Sequence, residues 1–161
     1  MREIERIIVS AIIFSKDGKI LMGQKDPNKG GVYFDCWHIP GGGVDENESL
    51  EDALKREIKE EIGLDVSQYQ IEPLPGPGEG VSEKTLKETG EKVLCHMKFH
   101  RFKIVVDKTA DEIKLQLGSD LVELKWFSKE ELSFVKQIPG GKEYFQELGY
   151  ISKEEELLNK K

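Results

Sequence analysis

The sequence predicts an α/β chain of the α+β kind, a mixed sheet with helices packed on its faces, and three observations predict it. Segments rich in β-branched residues outnumber the helical ones. Leu50, Leu54, Ile58 and Ile62 recur at i, i+4 spacing and mark one amphipathic helix. Short apolar helical patterns return near the end of the chain, so helices bracket the strands and have the sheet they form to pack against.

In chain order, EIERIIVSAIIFS, the turn KDG at 16–18 and KILMGQK read as a hairpin. VYFDCWHIP, residues 32–40, reads as a third strand. The helix spans 49–62. Ser49 supplies the N-cap with Asp52 as its capping-box partner, Gly63 supplies a left-handed stop, and Leu64 the apolar contact beyond it. LDVSQYQIEPL follows, then a Pro/Gly-rich loop, PGPGEG, and a polar stretch to Lys92. KVLCHMKFHRFKIVV and LVELKWFS are strand candidates, and KEELSF and GGKEYFQELG short helices.

No repeat or long linker divides the 161 residues, which suit one domain over 1–152 with a charged tail, 153–161, expected to fray. A composition of 37% hydrophobic and 34% charged residues is that of a soluble globular chain. The net charge of −7 argues against a nucleic-acid polymer or an anionic membrane as partner. The first apolar run, residues 7–14, is too short to span a bilayer. Cys36 and Cys95, without a leading signal pattern, suggest free thiols and a cytoplasmic location.

Glu57, Glu60 and Glu61 fall within one helical sector, bordering the apolar stripe. Solvated like charges at this spacing repel by about 0.2–0.5 kcal/mol per pair, and carboxylates in the last turns oppose the helix dipole. A multivalent cation among the oxygens converts that repulsion into coordination; the plainer alternative is a solvated acidic face.

Reading outward from these acids, Gly42, Glu48 and then Arg56-Glu57-Ile58-Lys59-Glu60-Glu61-Ile62-Gly63-Leu64 match G-x5-E-x7-R-E-U-x-E-E-x-G-U, with U aliphatic, at every specified position. The segment 42–64 resembles the box of the Nudix hydrolase family. The surrounding order of hairpin, PGGG, helix, long strand and WFS segment is similar to that family too. The resemblance implies an α/β/α sandwich with a mixed central sheet. It implies hydrolysis of a phosphoanhydride bond in a nucleoside diphosphate linked to another group, with Mg2+, or Mn2+ in its place, as cofactor. Glu57, Glu60 and Glu61 are then the principal metal ligands, joined by Glu48 from the loop side and by a backbone carbonyl at Gly41 or Gly42. Arg56 takes an orienting role, pairing with Glu60 or Asp52.

Glu57 or a loop acid is expected to activate water, with Glu83, Glu88, Glu91, Glu112 and Glu123 as loop candidates; Glu123, just before Trp126, comes first. Phe34 and Trp37 are candidates to stack on a base or sugar, with core packing as the alternative. Small nucleotides are the expected partners, the chain itself being a monomer or homodimer. Nucleoside triphosphates are the expected substrates, giving monophosphate and pyrophosphate. Nucleotide sugars, ADP-ribose, dinucleoside polyphosphates and a non-catalytic sensing module are the alternatives, and residues 75–92 the expected place of discrimination. Cys95, His96 and His100 lack the further ligands of a zinc site, and no Walker pattern, G-x-G-x-x-G or G-x-S-x-G elbow is present.

Overall fold

The computed structural model describes residues 1–29 and 33–152. The expected fraying tail, 153–161, and Val32 at the start of the expected third strand lie outside the described residues. The strands are β1 Arg2–Phe14, β2 Ile20–Lys25, β3 Gly41–Gly43, β4 Ile71–Pro73, β5 Gly78–Thr85, β6 Lys92–Val105 and β7 Leu121–Phe127. The helices are α1 Leu50–Ile62 and α2 Gly141–Glu147, with a short 3-10 turn at Glu130–Phe134 where KEELSF was read as a helix.

One sheet runs β4-β6-β1-β2-β7, with β3 added to β1 and β5 to β6. β1 and β6 are parallel and in register from Arg2↔Val93 to Phe14↔Val105, and the other pairs are antiparallel. The sheet is therefore mixed. Alternation along these strands builds two cores. Val9, Ala11, Ile13, Phe102 and Ile104 pack with Ala53, Leu54, Ile58 and Ile62 of α1. Ile12, Phe14, Ile20 and Met22 pack with Tyr144 and Phe145 of α2. The helices cover opposite faces, giving the expected sandwich.

Both ends of α1 are closed as the sequence reading expects. Ser49 Oγ accepts the Asp52 N–H at 3.1 Å, and Gly63, at φ 71°, donates its N–H to Lys59 O at 3.0 Å. Ser49→Ala is expected to cost about 1 kcal/mol, seen as a fall in melting temperature of roughly 2–4 °C.

Two elements differ from the sequence reading. Residues 33–36 of the expected third strand form a turn, closed by the Cys36 N–H on Tyr33 O at 3.1 Å. Trp37 and His38 make isolated bridges to Gln137 and Gly23, and Pro40 O accepts the Ala11 N–H at 2.9 Å, because the segment crosses between partners rather than lying along one. The strand begins later, in the glycines: a Cβ at Gly41 would overlap Val9 O, so a bare backbone is what lets β3 lie against β1. The expected loop and polar stretch after Pro75 contains β5, which pairs with β6 from Gly78↔Phe99 to Thr85↔Lys92. As an edge strand with largely exposed side chains it needs no apolar alternation.

Candidate active site

β3, the loop 44–48 and α1 meet beside the middle of β1. Gly42 faces α1 so closely that a Cβ there would overlap the carboxylate of Glu57. Glycine at this position lets the backbone and the acid share one small volume.

Arg56 stands at the centre of the acids. Its Nε and Nη2 donate to both oxygens of Glu48 at 2.9 Å, its Nη1 donates to Glu57 at 2.8 Å and Glu60 at 3.4 Å, and Nη2 also reaches Gly43 O at 3.0 Å. Asp45 lies 3.4 Å from the same Nη2. The orienting role expected for Arg56 has a geometric basis here, although its partners are Glu48, Glu57 and Glu60 rather than Asp52. Glu48, expected among the metal ligands, is instead engaged by the fork of Arg56 and by the Asp45 N–H at 3.0 Å. Those bonds hold its carboxyl at about 2, with the Arg56 hydrogen bonds the larger cause.

The three helix acids occupy unequal surroundings. Glu60 is 61% exposed, whereas Glu57 is 19% exposed. Burial pushes the Glu57 carboxyl up, opposed by Arg56. Glu61, like Glu57, is partly buried, with its Oε1 shielded from solvent. Its Oε1 has no hydrogen-bond partner, and desolvation pushes its carboxyl up to about 8, with the Lys25 ammonium and the Gly41 N–H pulling the other way. Asp120 adds a further negative charge beside it. The segment carrying Asp120 docks on the end of α1, where Gln116 and Gly118 donate their N–H groups to Ile62 O and Glu61 O at 2.9 and 2.8 Å.

Among the described residues no three His, Cys, Asp or Glu side chains converge on a single point. The donor set nevertheless suits a hard divalent cation: an unpartnered buried carboxylate oxygen, a half-buried second carboxylate and a side-chain-free backbone at Gly41 and Gly42, all oxygen donors.

Several expected residues lie elsewhere. Glu123 pairs across β2 with Gln24, while its neighbour Leu124 pairs with Gly23 and packs into the α1 core. Successive residues alternate faces, so Glu123 is on the α2 face, away from the box helix. Glu91 is paired with Arg2 at 2.9 Å, and Glu112 accepts from the Thr109 N–H at 3.0 Å. Glu83 lies exposed on β5 and Glu88 in the turn after it. Trp37 is edge-on to Phe127, with ring centroids 5.0 Å apart, and belongs to the α2 core, so the packing alternative holds for it. Phe34 is 48% exposed. On β6, Cys95 is buried, and the adjacent His96, facing the other way, meets Glu3 at 2.9 Å.

Sequence reasoning missed Lys25, Asp45 and Asp120. Asp45 stands three residues before Glu48 and shares a local turn with it, a spacing that could have revealed it. Lys25 and Asp120 reach the site only through the sheet, and no local pattern marks them.

A family model for the NUDIX domain matches residues 5–149. The chain belongs to the Nudix family. Among relatives of this Nudix chain, an RNA pyrophosphohydrolase of Hydrogenovibrio crunogenus is 41% identical over 63 residues, 39% of this chain and 34% of that protein. The chain thus spans about a third of the length of that relative. The nucleoside triphosphatase NudI of Escherichia coli K12 is 28% identical over 128 residues, 80% of this chain and 85% of that protein. In structure, the E. coli dihydroneopterin triphosphate pyrophosphohydrolase superposes with a TM-score of 0.67 at 18% identity, covering 88% of this chain and 92% of that one, a likeness of Nudix fold. No helix among the described residues is long and apolar enough to cross a membrane.

Proposed function

We propose that this Nudix chain is a hydrolase of nucleoside triphosphates that releases the monophosphate and pyrophosphate. The observation that carries the reading is Glu61: a solvent-shielded carboxylate oxygen with no hydrogen-bond partner, on a carboxyl beside the Gly41 N–H and the acids that Arg56 fixes in place. A shielded carboxylate oxygen without a partner is costly, and a site that binds a cation gives it a purpose. Coverage of most of NudI, named a nucleoside triphosphatase, supports the substrate class.

Glu57, Glu60, Glu61 and a carbonyl of Gly41 or Gly42 would hold Mg2+ or Mn2+, which when bound supplies positive charge against phosphate oxygens and makes water more acidic. Arg56 sets the rotamers of Glu57 and Glu60 and ties the loop 44–48 to the helix. To serve as a ligand, Glu61, whose carboxyl burial raises, would have to release its proton. Glu57, half-buried with its carboxyl raised, is the acid placed to accept a proton from water. In the reaction, the water oxygen bonds to phosphorus, the anhydride P–O bond breaks, pyrophosphate leaves, and the water proton passes by way of Glu57 to solvent.

The test is a panel of nucleoside triphosphates, nucleotide sugars, ADP-ribose, dinucleoside polyphosphates and 5′-triphosphorylated RNA, with magnesium or manganese and with products resolved. The expected result is pyrophosphate from a triphosphate at least tenfold faster than turnover of any other class, a difference of about 1.4 kcal/mol in the barrier. Faster cleavage of a sugar-linked, dinucleotide or RNA substrate would move the assignment to that class. No turnover of any member would leave a non-catalytic nucleotide-binding module.

A further inference from the structure

We propose that the free edge of β1 beside the box loop is a docking site for a basic, extended peptide segment of a partner protein, which adds there as an antiparallel strand and continues the line of β3.

β1 is paired on one side along its whole length, from Arg2↔Val93 to Phe14↔Val105. On its other side β3 takes Ile8, Val9 and Ser10, and β2 takes Phe14. The chain then leaves β1 at Val44, whose N–H reaches Ile7 O at 2.9 Å, while Ala11 donates its N–H to Pro40 O at 2.9 Å. The odd residues of β1 therefore turn their backbone groups to this side. By the same alternation the N–H groups of Glu3, Glu5 and Ile7 and the carbonyls of Glu3 and Glu5 face outward. Among the described residues no hydrogen bond reaches them. Such a row of donors and acceptors is the template to which a further strand adds.

The edge borders a slot. A cavity of about 480 Å³ lies along it, bounded by Glu5, Arg6 and Ile7 on the strand and by residues 44–48 across from them. Arg6 packs on the end of β3, where a Cβ at Gly43 would overlap its Nη2.

Charge selects the occupant. Glu5, Asp45, Glu46 and Glu48 line the slot against the guanidinium of Arg6. Arg56 takes up Glu48, but Glu5 and Glu46 form no ion pair among the described residues. A second copy of the chain is a poor fit. Antiparallel self-pairing centred on Ile4 sets Arg2 against Arg6 and Glu3 against Glu5, and centring it on Glu3 or Glu5 sets that carboxylate against its own copy. A strand with Lys or Arg at alternate positions instead places a cation directly opposite Glu5 and beside Glu46. Its intervening side chains fall on the other face, with Ile4, and suit apolar residues.

The test titrates the full chain with short labelled peptides, followed by fluorescence anisotropy at low salt without nucleotide or magnesium. One peptide alternates lysine and valine, a second has glutamate for lysine, and two more carry N-methyl groups on the lysines or on the valines. The lysine peptide is expected to bind about tenfold or more tightly than the glutamate one. In the antiparallel register the residues opposite Glu5 turn their own N–H to the edge. N-methylated lysines are therefore expected to weaken binding about tenfold, and N-methylated valines by less than about threefold. Glu5→Lys is expected to bring the lysine and glutamate peptides within about threefold of each other, with an unchanged circular dichroism spectrum. Equal affinity of the parent for the two peptides overturns the proposal. So do equal effects of the two methylations, since charge alone would then hold the peptide. Sedimentation of the parent as a dimer that Glu5→Lys dissociates would give the edge to a second copy and overturn it as well.

Discussion

In metal-free buffer at pH 8, Glu61→Gln is expected to melt roughly 5–10 °C above the parent, and at pH 5 the two are expected to melt nearly together. The Glu61 carboxyl holds its proton up to about pH 8 in the folded chain, against an ordinary value of 4.5, chiefly because burial disfavours its charge. The folded state therefore binds this proton more tightly than the unfolded one. Its stability contribution is complete below about pH 4.5 and is lost as pH rises toward 8. Each unit corresponds to about 1.4 kcal/mol, and on the order of 2–4 kcal/mol survives relaxation of the site. Glutamine keeps the shape and removes the proton equilibrium. The same substitution is expected to cut hydrolysis roughly a thousandfold, beyond the 10–100-fold typical of groups that only support a ligand. Thermal melts with chelator at the two pH values, paired with turnover, check both halves. A variant less stable than the parent at pH 8 would show that the parent carboxylate is charged and well solvated, and the reading of Glu61 as a cation site would fall.

Glu61 also shows where a sequence stops being informative. The helix, its serine cap and its glycine stop were legible because each depends on residues within one turn of the other. Helical spacing also places Glu57, Glu60 and Glu61 in one sector. It does not say that Glu60 is exposed while Glu57 and Glu61 are partly buried, with one Glu61 oxygen shielded, because the surroundings of Glu61 come from Lys25 on β2, Gly41 on β3 and the segment docking through Gly118. These partners are brought in by the sheet and carry no local signature.

The misplaced acid has a different cause. Glu123 was favoured for its closeness to Trp126 in a strand, yet residues three apart in a strand point to opposite faces. Trp126 pairs with Leu21 and packs toward α1, which sends Glu123 to the α2 side. Strand periodicity alone carried that correction. β5 was missed for a better reason: GEGVSEKT has two glycines and little alternation, and it is a strand because β6 is long enough to hold an edge partner along its first half. The aromatic run before the box was over-read as a strand because aromatic residues favour both sheets and cores, and Trp37 is in a core.

The last expected result separates charge from shape at Arg56. Arg56→Lys is expected to keep the fold with a modest loss of stability while slowing hydrolysis about a hundredfold. Arg56→Ala is expected to lose on the order of 2 kcal/mol and essentially all activity. A buried pair broken by removing one partner commonly costs about 3–5 kcal/mol, and the smaller figure reflects a guanidinium side chain still 28% exposed. The asymmetry between the variants follows from geometry. The guanidinium makes five hydrogen bonds, to Glu48, Glu57, Glu60 and the Gly43 carbonyl, from three nitrogens held in one plane. An ammonium can neutralise the same acids but cannot reach the loop and two turns of helix together. Urea melts with kcat and KM for both variants decide it. If lysine restores parental kcat, the acids need only a counter-charge; if alanine leaves both stability and kcat intact, the arginine is an ordinary surface partner and the loop 44–48 is positioned by something else.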